Sequence, residues 1–210
     1  MKFLLSLAAV AVTCTGLAQG TSEAILGYSD SISSFVIGTT AGWTFRTTTP
    51  VNLTELGCFS RVFIENPTVT SIQVGLWNNS GSLLASNSIT ASSVLTDQTR
   101  YESVTPVLLN PGETFHIGIY SPGGGLGLGV AGAAASGSIS NSAAILLRGS
   151  ALAPANSGFA FPAEPQSGPD GSIYLGPNFQ YQGGVPEPSS LLLLGLGGLS
   201  VAARRRSQRL

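Results

Sequence analysis

Charge is what this sequence has least of. Only 9% of its 210 residues are Asp, Glu, Lys or Arg, against about a quarter in ordinary soluble globular proteins. Such a chain lacks the charge of a disordered segment and the Glu- and Lys-rich outer faces of a helical bundle. Cations are scarcer still. Lys2 is the only lysine, and between residues 21 and 184 four arginines (Arg46, Arg61, Arg100, Arg148) stand against nine acids, for a net charge of −5. A segment so poor in cations has no electrostatic footprint for nucleic acid, and no nucleic-acid partner is expected. Histidine occurs once, at His116, and cysteine twice, at Cys14 and Cys58.

What is present falls into three parts. The N-terminus has the layout of a secretory signal. Lys2 supplies the charge, Phe3 to Val12 the short apolar run, and Gly16-Leu17-Ala18 or Ala18-Gln19-Gly20 the small residues before a cleavage site. Residues 1–20 are therefore expected to be removed by signal peptidase. Cys14 would leave with them, and Thr13 before it is not the Gly or Ala of a lipoprotein signal. Cys58 alone makes neither an intramolecular disulfide nor a structural zinc site, so it is expected as a small buried apolar residue.

Residues 21–184 read as one all-β domain, an antiparallel β-sandwich of jelly-roll-like type. Apolar residues alternate in short runs between turn residues. Trp43 and Phe45 share one face of a strand, with Thr44 and Arg46 on the other. A strand is expected through Cys58, Phe59, Val62 and Ile64. The clearest hairpin places Ile72, Val74 and Leu76 inward and turns at Asn78-Asn79-Ser80-Gly81. After the Asn110-Pro111-Gly112 turn, Phe115, Ile117 and Ile119 take the core face, while Thr114, His116 and Tyr120 take the solvent face. Residues 121–142, nearly all Gly, Ala and Ser, are expected to be a flexible loop. Residues 153–172, with Pro154, Pro162, Pro165 and Pro169, should form an irregular surface excursion. Further strands are expected at 144–148, 172–175 and 178–181. The succession GWTF, VNLTELGCF, IQVGLWNNSGSLLAS and RYESVTPVLLNPGETFHIG resembles an uncharacterised β-sandwich family of bacterial surface proteins. Its motifs are turns and core positions, so the resemblance implies a fold and no chemistry.

Candidate chemistry is thin. A nucleophilic triad has no base but His116, and Gly27-Tyr28-Ser29-Asp30-Ser31 lacks the final Gly of a nucleophile elbow. No cluster of His, Cys or carboxylates has ligand spacing, and the Gly-rich run at 123–129 lacks the Lys-Ser/Thr of a phosphate loop. No catalytic residue, metal or cofactor is expected. Trp77, at the hairpin mouth, is the candidate ligand contact, with core packing as its other reading.

The tail is the most informative stretch. Pro186, Glu187 and Pro188 precede an uncharged apolar run, 189–203, and then Arg204, Arg205 and Arg206. Fifteen residues as a helix span roughly 22 Å, short of a hydrocarbon core of ~30 Å. Flanking arginines extend the reach and stay on the cytoplasmic side. This order closely resembles the PEP-CTERM sorting signal of Gram-negative bacteria. The resemblance implies recognition by an exosortase, a membrane transpeptidase, with Pro186, Glu187 and Pro188 as the sorting motif and Arg204, Arg205 and Arg206 as the stop-transfer cluster. It also implies an association with biofilm and exopolysaccharide. The expected protein is non-enzymatic, passes transiently through the inner membrane by way of 189–203, and ends at the cell surface or outside the cell. A carbohydrate-binding module for exopolysaccharide is the alternative. A glycoside hydrolase built on two carboxylates is a weaker one that no motif supports.

Overall fold

A computed structural model describes residues 20–27, 32–36, 38–65, 67–122, 126–131, 140–166 and 173–183. The early strands are β1 (Ser22–Glu23), β2 (Ile25–Gly27), β3 (Ile32–Val36), β4 (Ala41–Thr47) and β5 (Val51–Phe59). A short helix, α1 (Arg61–Glu65), leads to β6 (Ser71–Asn78), β7 (Leu83–Thr90), β8 (Val94–Thr96), β9 (Thr99–Leu109) and β10 (Thr114–Tyr120). The remainder are β11 (Leu126–Ala131), β12 (Ser140–Asn141), β13 (Ile145–Leu152), β14 (Glu164–Gln166), β15 (Ile173–Leu175) and β16 (Pro177–Gly183). One antiparallel sheet runs β1-β16-β5-β9-β8 and a second runs β14-β13-β4-β10-β6-β7. A three-stranded sheet, β15-β11-β3, and a β12-β2 pair complete the all-β architecture, in which one sheet curls into a half-barrel.

The core lies between the two large sheets. Period-two alternation buries Trp43 and Phe45 on β4, Ile72, Val74 and Leu76 on β6, and Phe115, Ile117 and Ile119 on β10. Opposite them, β5 and β16 contribute Leu53, Leu56, Cys58 and Phe179. Phe45 is the hub of an aromatic cluster, with ring centroids 5.1 Å from Trp43, 5.0 Å from Phe179 and 5.6 Å from Phe115. Such tilted pairs add ~0.5–1.5 kcal/mol each beyond their buried area.

Two expectations change. The strand through Cys58 ends at Phe59, and α1 follows it. Val62 still reaches the core, but Ile64 is exposed, because a single helical turn spreads neighbouring residues around an axis instead of alternating them across a sheet. The 121–142 stretch holds β11, paired with β3 and β15, and the short β12. In it Leu126, Leu128 and Val130 alternate with Gly127, Gly129 and Ala131, a strand pattern that the small residues conceal. The proline-rich excursion is irregular and at the surface as expected, and its described part, 153–166, forms a strap over the outer face of the second sheet. Thr40 Oγ1 donates to the Gly158 carbonyl and accepts from Ala160 N–H, and Thr39 Oγ1 donates to the Ala153 carbonyl.

Close approach between strands depends on glycine. A Cβ at Gly42 would strike the Ile117 carbonyl on the neighbouring strand, whereas one at Gly149 would meet nothing within 4 Å. Gly42→Ala should lower stability by about 3 kcal/mol, read as a drop in the urea midpoint, while Gly149→Ala should leave that midpoint within error of the parent.

Candidate functional site

The domain's last strand sets where the tail leaves. β16 pairs with β5 from Pro177↔Cys58 to Gly183↔Val51, and Val51 pairs in turn with Leu109. Gly183 therefore ends at the edge of the sandwich that carries the β4–β5 and β9–β10 turns. Polar bonds hold β16 in place. Trp43 Nε1 donates to the Pro177 carbonyl at 2.9 Å. The Asn178 side chain accepts from Ile25 N–H at 3.0 Å and donates to the Ile25 carbonyl at 3.0 Å and to Tyr101 Oη at 2.8 Å. Pro186, Glu187, Pro188, Arg204, Arg205 and Arg206 lie outside the described residues, as do the expected signal peptide and the expected C-terminal helix over 189–203. Among the described residues no helix is long and apolar enough to cross a membrane.

Within the domain, the side chains with chemical potential are covered or scattered. Trp77 is 4% exposed. Its indole folds back over Gly75, and Phe159 of the strap covers it with ring centroids 5.2 Å apart. His116 does point away from the core, but the strap covers it too, so the expected solvent-facing histidine is buried. Its Nδ1 donates to the Pro162 carbonyl at 2.9 Å, its Nε2 lies 3.4 Å from the Asn79 side-chain oxygen, and its ring packs edge-on against Phe161. Burial holds its pKa below the ordinary 6.5, with the Pro162 hydrogen bond opposing. The result is a neutral ring that pins the strap to β10 through its one N–H.

Cys58 is buried and free, as expected of a small apolar residue. Burial pushes its thiol far above the usual range against a partial pull from Arg100, which leaves it unreactive. Glu23 and Asp97 are two carboxylates that come near each other. Burial raises the Glu23 carboxyl, a hydrogen bond from Tyr101 opposes that, and repulsion from Asp97 adds to it. The hollow they line with Gln98 and Thr99 holds only about 10 Å³, too little for a sugar ring. Among the described residues no three His, Cys, Asp or Glu side chains gather as metal ligands.

A more open feature lies along the seam between the two large sheets. A groove of about 350 Å³ runs between β7 and β9, with Ser86, Asn87, Ser103 and Thr105 as its polar lining. Asn87 Nδ2 bridges it by donating to the Ser103 carbonyl at 2.9 Å. The groove holds hydroxyls and amides but no ionisable group, so it can offer hydrogen bonds and has no acid or base. The uncharged run Leu83–Thr90 was its only trace in the sequence, since the strands that form it meet through the fold alone.

Comparison with known proteins agrees with the tail. Residues 184–206 match the family described as the PEP-CTERM protein-sorting motif. No curated protein and no solved structure gives a significant match to the chain. The match begins one residue after β16 ends.

Both tryptophans should therefore resist acrylamide quenching in the native protein. Phe159→Ala should make Trp77 quenchable while Trp43 stays protected, at a cost of about 2 kcal/mol for a half-buried ring. Strong quenching of the parent protein would contradict this packing.

Proposed function

We propose that the chain, which carries a PEP-CTERM sorting motif and fits an exosortase substrate, is an exported, non-enzymatic protein of the cell surface or extracellular matrix, in which the β-domain is the cargo and the tail is its handle. In this reading signal peptidase removes residues 1–20. The run 189–203 then holds the chain in the inner membrane, with Arg204, Arg205 and Arg206 on the cytoplasmic side. The transpeptidase acts at Pro186, Glu187 and Pro188, where two prolines keep the backbone extended and poor in hydrogen bonds, a form an enzyme can grip. The observation that carries the reading is the placement of the motif directly after the strand that completes the domain.

Neither catalytic alternative gains from the fold. Glu23 and Asp97 share a hollow too small for a glycan, and His116 contacts a carbonyl, an amide oxygen and a phenyl ring. Of the aromatics that could stack on a sugar in the exopolysaccharide-binding alternative, Trp43, Trp77, Tyr101 and Tyr181 are buried and Tyr120 is half-buried.

Removal of residues 185–210 should redirect the protein in cells that express an exosortase. Fractionation should show the parent at the surface or in the medium, and the shortened chain elsewhere. Unchanged surface display of the shortened chain would rule out sorting by the tail.

A further inference from the structure

We infer that the end of the sandwich from which the tail emerges is a membrane-apposed face, which seats on the lipid interface through a collar of leucines while the tail is inserted. The inference rests on the proposed insertion of 189–203 and adds an orientation for the domain. Strand register places the collar. In the first sheet the row Gly183–Val51–Leu109 marks the tail exit, and the next row, Gln182–Asn52–Leu108, carries Leu108. In the second sheet Leu146 pairs with Arg46 and Arg46 with Thr114, while Leu83 pairs with Trp77 just past the β6–β7 turn. The β4–β5 and β9–β10 turns join these rows, so both sheets present them at the same end.

Leu83, Leu84, Leu108 and Leu146 are all exposed there, Leu83 by 49% and Leu108 by 55%. The turns between them, 48–50, 78–82 and 110–113, carry a single charged residue, Glu113, which Asn110 contacts at 3.4 Å. Arg46, one row further in, donates to Thr114 Oγ1 at 3.0 Å. Leucines, hydroxyls and amides with almost no net charge suit the headgroup region of a zwitterionic bilayer, where apolar tips gain from partial burial.

Chain length brings the face into contact. Six Cα steps from Gly183 to Ser189 reach at most about 20 Å, so the inserted tail holds this end at the headgroup layer. The opposite end also exposes apolar side chains, with Val94 68% exposed. It carries Arg61, Asp97 and Arg100 as well, and the nine residues of β5 set it roughly 26 Å further out.

The two ends make the test internal. The full chain with Cys14→Ser retains only buried Cys58, so an added cysteine takes the label alone. A polarity-sensitive fluorophore on Leu84→Cys, Leu108→Cys or Val94→Cys is read in phosphatidylcholine vesicles that contain a headgroup-level quencher, and cosedimentation is measured on the same samples. Blue-shifted, quenched emission at 84 and 108 with unchanged emission at 94 is the expected result. Cosedimentation with no shift at 84 and 108, or with equal shifts at all three positions, overturns the orientation and leaves tail insertion standing. A chain that does not cosediment overturns tail insertion and the orientation with it. A shift that appears only when solubilised exosortase is added assigns the face to that enzyme and overturns the membrane contact.

Discussion

The fold depends on β16 being locked between β5 and β1. Asn178 has the central role, because its one amide satisfies both backbone groups of Ile25 and reaches Tyr101 Oη, all in the buried interior. An orphaned buried polar group costs about 1–3 kcal/mol, so loss of this side chain would strand several at once. Phe179 fastens the same strand from the apolar side, packed against Phe45 and Trp43. The last seven residues of the domain thus pair with β5, close the sheet and fill the core.

That lock gives the tail its independence. A segment that is to be gripped and cut must not also hold the domain together. Here the closing strand ends at Gly183, and the Pro-Glu-Pro motif begins three residues later. Every described pairing of the two large sheets lies within residues 22–183, so none of them is made by the motif. On the outer face the strap's Phe159 and Phe161 cover Trp77 and His116.

Much of this was legible in residue order. The alternation of Trp43 with Phe45, of Ile72 with Val74 and Leu76, and of Phe115 with Ile117 fixed which faces are buried, because a strand's period of two leaves little ambiguity. The Asn78–Gly81 hairpin was equally plain from residues that tolerate turn geometry. Long-range features were not legible. Nothing local to His116 or Trp77 shows that a segment over forty residues later will cover each ring. Gly127 and Gly129 disguised β11 as a linker, since small residues lower apparent hydrophobicity without preventing strand pairing. Val62 and Ile64 keep strand spacing while lying on a helical turn, a helix/strand ambiguity inherent in short apolar runs. The tail was the opposite case, as its three features are contiguous and need no partner elsewhere in the chain.

The most direct test of a domain that is complete at β16 and separable from its tail is a pair of truncations, each beginning at Gly20. The chain ending at Gly184 should unfold cooperatively in urea at the same midpoint as the full chain, while the chain ending at Gly176 should show no cooperative transition. A Gly176-ended chain as stable as the parent, or a Gly184-ended chain that does not fold, would contradict the account.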